Sequence, residues 1–323
     1  MRIRRWIAGL TAAALAVCSG CAAPAKPVSR TAAALDTVVT VSLYDPANEA
    51  LLDGCLEKIA AYERLFSRTV ADSDVSRINA SGGEWVTVSP DTAALLQAAL
   101  KTAGDSGGAF DITVAPAMDL WDFTADDPRL PAADALAQAV EHVDYTAIEI
   151  DGDRVRLHDP AAAIDLGGAA KGYIADRLGD YLRGQGVKGA LIDLGGNVLA
   201  VGDKKGTPFS VGVRDPRDEN GLAATLAVRD RSVVTSGVYE RGFTLNGKRY
   251  HHILDPATGW PVDNGLASVT ILSDESLTGD LLSTACFVMG EEKAKLWIEQ
   301  TDGVDALFIR VDGTQSATSG FYK

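Results

Sequence analysis

AIDLGGAAKGYIADRL, residues 163–178, joins an apolar run that reads as a strand end to two adjacent glycines and then to a helix. Ala170, Tyr173, Ile174, Leu178 and Leu182 recur at helical spacing, and Gly184 stops the pattern. A helix N-terminus preceded by glycines presents N–H groups that lack intrahelical partners, and Lys171 in the first turn adds a positive charge. That combination suits an anion, and a phosphate-bearing cofactor is the expectation drawn from it. It is not a Walker loop, which needs glycine, lysine and then Ser or Thr, whereas here Lys171 precedes Gly172. Read alone, the glycine pair also fits a purely structural turn.

Outward from this stretch, short strands alternate with amphipathic helices. Val38, Val39, Val41 and Leu43 predict a strand, and Asp45-Pro46 then reads as a helix cap with proline at the first helical position. Leu51, Leu52, Cys55, Leu56, Ile59 and Tyr62 carry that helix to about Leu65. Ser89-Pro90 opens a second helix ending near Gly107-Gly108, and Leu130-Pro131 opens a third. Residues 147–159 read as a hairpin around Asp151-Gly152, and Asn246-Gly247 and Asp312-Gly313 mark two more. Strand-like runs at 190–192, 209–213 and 267–272 accompany helices expected over 278–289 and 291–300. Strands joined by hairpins and interspersed with helices give an α+β class.

The N-terminus is read separately. Arg2, Arg4 and Arg5 precede an apolar run from Trp6 to Val17 that is too short to span a bilayer and fits a signal sequence over residues 1–20. Ser19-Gly20-Cys21 then resembles a bacterial lipobox with Cys21 as the lipidated residue, although Cys18 stands where that motif has leucine. A plain secretory signal cleaved nearby is the alternative. Residues 21–34 read as a flexible tether, and 35–323 as one folded domain. Losing the three arginines takes the net charge from −14 to −17, which argues against nucleic acid as a partner. Cys55 and Cys286 lie in apolar, helix-like surroundings and suit core packing better than a disulfide framework.

Three further stretches carry chemistry. In SGGAFDITVAP from Ser106, Asp111 and Thr113 interrupt an apolar, strand-like run, as a capping aspartate or as part of a site. In RYHHILDPATGWPV from Arg249, adjacent His251 and His252 on a strand must point to opposite faces, so at most one faces a site. His142 and His158 sit in a polar helix end and an exposed hairpin, leaving the pair as the proton-transfer candidates. In TGDLLSTACFVMG from Thr278, Asp280 and Thr284 stand four apart on one helical face. A carboxylate and a hydroxyl are hard donors suited to Mg2+, and an aspartate that merely favours a helix's first turn is the alternative. Zinc-type His and Cys spacing is absent, and so is GxSxG.

Together and in this order, LDTVVTV, LFSRTVADSDVSRIN, GGAFDITVAP, IDLGGAAKGYIAD, LIDLGGNVLAVG, VVTSGVYER, HHILDPATGWPV and GDLLSTACFVMG resemble the ApbE family, the FAD:protein FMN transferases, across nearly the whole mature chain. The resemblance implies an α+β fold of antiparallel sheets and packed helices with FAD in a cleft between two lobes. It implies Mg2+-dependent transfer of the FMN half of FAD to a Ser or Thr hydroxyl of a partner protein, with AMP leaving. Ala109, Phe110, Asp111, Asp165, Lys171 and the backbone around Leu254 match the FAD site, and Leu35 and Thr69 match further flavin-contacting positions. Gly168 through its carbonyl, Asp280 and Thr284 match the metal ligands, and His252 matches the base, making His252 and Asp280 the catalytic pair. Leu35-Asp36-Thr37 departs from the Met-Gly-Thr of many members, so a backbone contact alone is carried to Leu35. Implied partners are acceptor flavoprotein subunits of membrane redox complexes, met outside the cell membrane of a bacterial envelope by a lipid-anchored enzyme. Two rival readings are an FAD pyrophosphatase releasing FMN and AMP, and a lipid-tethered flavin-binding protein.

Overall fold

The structure, a computed structural model, describes residues 27–45, 49–125 and 127–323. The expected signal sequence and Cys21 lie outside the described residues. Along the chain come β1 (Val28–Ala34), β2 (Thr37–Leu43), α1 (Ala50–Phe66), α2 (Asp74–Asn79), β3 (Val86–Thr87) and α3 (Pro90–Asp105). Next are α4 (Ala115–Met118), α5 (Ala133–Val140), β4 (Ile148–Asp151), β5 (Arg154–Leu157), α6 (Ala170–Gly184), β6 (Gly189–Leu194) and β7 (Asn197–Gly202). The remainder is β8 (Phe209–Arg214), β9 (Leu222–Val228), β10 (Ser232–Gly237), β11 (Gly242–Leu245), β12 (Lys248–His251), β13 (Leu266–Ser273), α7 (Ser276–Met289), α8 (Glu291–Ile298), β14 (Asp305–Arg310) and β15 (Gln315–Ala317). One eight-stranded sheet runs β1-β2-β6-β7-β10-β13-β14-β15, and its ladders are all antiparallel. Two hairpins, β8–β9 and β11–β12, and the small sheet β3-β5-β4 stand apart from it. This is the α+β class expected.

Position in the sheet explains each strand's composition. In β2, Val39, Val41 and Leu43 are buried while Val38 faces out, the period-two pattern of a strand with one covered face. Central β13 is buried along its entire length, so its side chains read as a nearly unbroken small and apolar run. On one side, α1, α3 and α6 close a core with Val39, Val41, Ile192, Leu194, Leu95 and Ile174. Helix α7 belongs to two cores: Leu281 and Ala285 enter that one, whereas Leu282, Cys286 and Phe287 enter another with β13, β14 and α8. Cys55 and Cys286 are both buried free thiols.

Four expectations are corrected. Residues 28–34 are not tether but β1, paired with β2 from Val28↔Leu43 to Ala34↔Thr37. Small and polar residues suffice there because an edge strand is held by backbone bonds, by Ala32 and Ala34 on the core side, and by the hydroxyl pairs Ser29–Ser42 (2.8 Å) and Thr31–Thr40 (3.0 Å) on the other. Asp45 does not cap α1; its carboxylate accepts from the Lys188 N–H at 2.6 Å, and the cap position is Glu49. Neither the run at 109–114 nor that at 163–166 is a strand. They touch in parallel only at the bridge Val114↔Ala163 and through Asp165 N–H to the Ile112 carbonyl (2.7 Å). Each is cut short by an aspartate that captures the N–H two residues ahead, Thr113 for Asp111 and Gly167 for Asp165, which removes that donor from any ladder.

Candidate active site

The glycine turn delivers α6 to the place where its first turn crosses the first turn of α7. Gly172 makes that crossing possible: a Cβ on it would stand 2.5 Å from the Ser276 carbonyl and 2.7 Å from Asp280 Cβ. The Gly172 N–H donates to Asp280 Oδ2 at 2.8 Å, which orients the buried carboxylate and leaves its other oxygen for a ligand. One turn along α7, Thr284 Oγ1 lies 3.6 Å from the position of a Cβ on Gly168 and 3.2 Å from Ser236 Oγ at the end of β10. The same point on Gly168 is 3.2 Å from the Phe110 ring, so the expected aromatic is packed against the glycine turn. Lys171 donates from Nζ to the Gly167 carbonyl at 3.2 Å and remains partly exposed.

The two histidines are separated, though β12 ends at His251 and His252 stands in the bend that follows it. His251 is buried, donates from Nε2 to the Val262 carbonyl (3.0 Å) and accepts at Nδ1 from the Ile253 N–H (3.3 Å), so both ring nitrogens are engaged in holding the chain. His252 turns the other way. Its backbone N–H and its Nδ1 both meet the Arg241 carbonyl, at 3.2 and 3.3 Å. Donation from Nδ1 fixes the tautomer in which Nε2 carries the lone pair, the arrangement a general base requires. Desolvation among protein groups lowers the His252 pKa to about 4, and the nearby charges of Arg241 and Lys171 act in the same direction. The imidazole is therefore neutral at physiological pH. His142 and His158 are paired elsewhere, with Asp159 (2.7 Å) and Glu149 (3.0 Å).

The remaining predicted residues are each placed by their own contacts. Asp165 takes the Gly167 N–H at 2.7 Å and faces Arg68 at 3.5 Å, and Arg68 also bridges to Asp119. Thr69 comes directly after Arg68 in the chain, and its hydroxyl pairs with Ser67 (2.9 Å). The Asp111 carboxylate is spent internally on the Thr113 N–H, the Thr113 hydroxyl and the Tyr145 N–H, so its side chain builds the turn that carries Ala109 and Phe110. Burial raises the Asp111 pKa against those bonds. Leu254 buries its side chain with Trp121, Leu136 and Phe243, which leaves the backbone as the group it can offer. Leu35 and Asp36 form the β1–β2 turn, both with φ of 54°, and the Leu35 N–H donates to Glu63 (2.8 Å). Arg241 donates to the Asp36 carbonyl at 3.3 Å, linking this turn to the backbone that holds His252.

Two charged residues were missed by the sequence reading, although VVTSGVYER contains both. Arg241 is one. The other is Glu240, reachable by solvent yet crowded by protein; desolvation raises its carboxyl to about 7, with the charge of Asp280 adding to the rise and that of Lys171 opposing it. Adjacent opposite charges after a strand signal a rim of some kind, but nothing local shows which cleft they border. Among the described residues no three His, Cys, Asp or Glu side chains gather as a metal cluster. Asp280 and Thr284 instead offer hard oxygens one helical turn apart beside the Gly168 turn, a donor type that suits Mg2+ keeping waters and substrate phosphate oxygens as further ligands.

This chain can be set beside known proteins. The ApbE family model matches residues 35–308. An FAD:protein FMN transferase of Klebsiella pneumoniae (strain 342) is 39% identical over 285 residues, spanning 87% of this chain and 88% of the relative. One from Treponema pallidum (strain Nichols) is 35% identical over 339 residues, spanning 98% of this chain and 94% of the relative. The crystal structure of the ApbE protein of Thermotoga maritima is similar with a TM-score of 0.85 at 34% identity, covering 92% of this chain and 98% of that one.

Proposed function

Because the chain belongs to the ApbE family, we propose that it is an FAD:protein FMN transferase, moving the FMN half of FAD onto a Ser or Thr hydroxyl of a partner protein. The observation that carries this reading is the α6–α7 crossing. It brings Lys171, the Gly168 turn, Asp280 and Thr284 together, with His252 close enough to feel the Lys171 charge. In the reaction, the acceptor oxygen bonds to the phosphorus of the FMN phosphate while the bond from that phosphorus to the oxygen bridging to AMP breaks. The hydroxyl proton passes to Nε2 of His252, and AMP departs with the electron pair of the broken bond. Lys171, in the first turn of α6, would stabilise charge on phosphoryl oxygens; the Ala170 and Gly172 N–H groups of that turn are already taken by the Leu166 carbonyl and by Asp280. Asp280, Thr284 and the Gly168 carbonyl would hold Mg2+, which when bound neutralises charge on the diphosphate.

The proposal includes export and lipid attachment at Cys21, with acceptor subunits of membrane redox complexes as partners outside the cell membrane. Its support is the Arg2, Arg4, Arg5 cluster, the apolar run and Ser19-Gly20-Cys21. No helix among the described residues is long and apolar enough to cross a membrane. The deciding experiment is mass spectrometry of a co-expressed acceptor protein after supply of FAD and Mg2+. One hydroxyl residue bearing FMN is expected; free FMN and AMP with an unmodified acceptor would replace transfer by hydrolysis. For the anchor, Cys21→Ala should move the protein from membrane to soluble fraction, and an unchanged distribution would refute lipidation there.

A further inference from the structure

Neither helix at the active-site crossing caps its own N-terminus. Ala169 before α6 and Glu275 before α7 make no side-chain cap bond. Each is capped by the other helix instead. Asp280 of α7 accepts from the Gly172 N–H at the third position of α6 (2.8 Å), and Asp176 of α6 accepts from the Ser276 and Leu277 N–H groups at the first two positions of α7, both at 2.8 Å. Gly172 and Asp176 are four apart on α6, and Ser276 and Asp280 are four apart on α7, so the paired residues lie one turn apart on facing stripes. The contact is reciprocal, with Gly172 as the point of closest approach. We infer that Asp176 is a positioning residue: by holding the first turn of α7 against α6 it sets the Asp280 carboxylate and the Thr284 hydroxyl relative to Gly168 and Lys171. Asp176 touches none of the groups assigned to FAD or the metal. Its carboxyl is raised to about 6, mainly by desolvation and against the two N–H bonds, which shows how closely the helices enclose it. Burying this carboxylate carries a cost that the two N–H bonds only partly offset.

This inference rests on the Mg2+ reading above, and the test separates the two. FAD-loaded protein is titrated with Mg2+ by calorimetry, and FAD affinity is measured separately by flavin fluorescence without metal. Asp176→Ala should weaken Mg2+ about 10- to 100-fold, the usual loss when the partner orienting a ligand is removed, while FAD affinity changes less than about threefold. Asp176→Asn keeps one acceptor oxygen and should fall between Asp176→Ala and wild type. If Asp176→Ala does not fold, Asp176→Ser, with a hydroxyl acceptor on a shorter arm, is held to the same outcomes. A variant that titrates like wild type, an Asn variant as weak as Ala, or parallel losses of Mg2+ and FAD would each overturn the positioning role. Wild-type protein that binds no Mg2+ would instead overturn the metal reading itself.

Discussion

The pentapeptide IDLGG occurs twice, at 164–168 and 192–196, and the two copies fold differently. In both, the aspartate captures an N–H just ahead: Gly167 for Asp165 at 2.7 Å, Gly196 for Asp193 at 3.0 Å. In the second copy Gly195 and Gly196 take φ of 68° and 91° and turn β6 directly into β7. In the first, neither glycine enters the left-handed region, and Ala169 and Ala170 already bond back to the Leu166 carbonyl as α6 begins. The downstream residues decide: AAKGYIAD contains helix formers, whereas NVLAVG supplies the β-branched Val198 and Val201 to a strand. The same glycines are thus needed for different reasons: a left-handed conformation, with tight clearance against Thr37 at Gly195, in the second copy, and clearance without a positive φ in the first.

Substitutions can break or sharpen that contrast. The largest effect belongs to the proposed base: His252→Ala should slow FMN transfer by ~100- to 10,000-fold, with FAD affinity retained. A wild-type rate in single-turnover assays would remove His252 from the mechanism. Gly168→Ala should come next, cutting turnover about tenfold or more as the added methyl, 3.2 Å from the Phe110 ring and 3.6 Å from Thr284, crowds the oxygen set; its melting temperature should stay near wild type. In the second copy the penalty moves to stability. Gly195→Ala meets Thr37 Oγ1 at 2.3 Å from a strained φ and should cost about 2–4 kcal/mol in urea unfolding, while the folded fraction keeps its specific activity. Gly196→Ala has open space and only the φ penalty, about 1 kcal/mol. Loss of activity in folded Gly196→Ala protein would mean that both copies serve the reaction.

The smallest expected effect concerns pH. Because the folded pKa of His252 is depressed to about 4, its neutral form persists throughout pH 6–8 and His252 adds no limb to kcat/KM near the ordinary histidine value of ~6.5; a limb in that range should disappear in Glu240→Gln, since burial raises the Glu240 carboxyl to about 7. The same depression sets the sign for stability. Folding disfavours the protonated ring, so the contribution of His252 is complete above the unfolded value and is lost as pH falls from ~6.5 toward about 4. Urea unfolding of wild type and His252→Ala across that window checks it: the difference between the two should change below pH 6.5 and be constant above.

Much of the scaffold was legible because it is locally encoded. Ser89-Pro90 caps α3, with Ser89 accepting from the Thr92 N–H, and Asn246-Gly247 turns β11 into β12 with φ of 51° and 79°. That His251 and His252 would part was legible in the sequence, although β12 stops at His251 and the bend after it turns His252 to the Arg241 carbonyl. Some features that escaped local reading are close in sequence but carry no strand or turn signal of their own, and others depend on partners far along the chain. Residues 28–34 look like a linker until β2 pairs with them. Asp165 looks like part of a strand until Gly167 takes its carboxylate. Glu240, Arg241 and Asp176 have no distinctive spacing, and their neighbours Asp280, Asp36 and Ser276 lie tens to hundreds of residues away.

One consequence of α7's membership in two hydrophobic cores concerns heat. A helix wedged between separate packing units has no independent way to loosen: displacing it exposes Leu281 and Phe287 on opposite sides at once. Warming should therefore leave this catalyst fully competent almost until it melts, so that inactivation and global unfolding share a single transition.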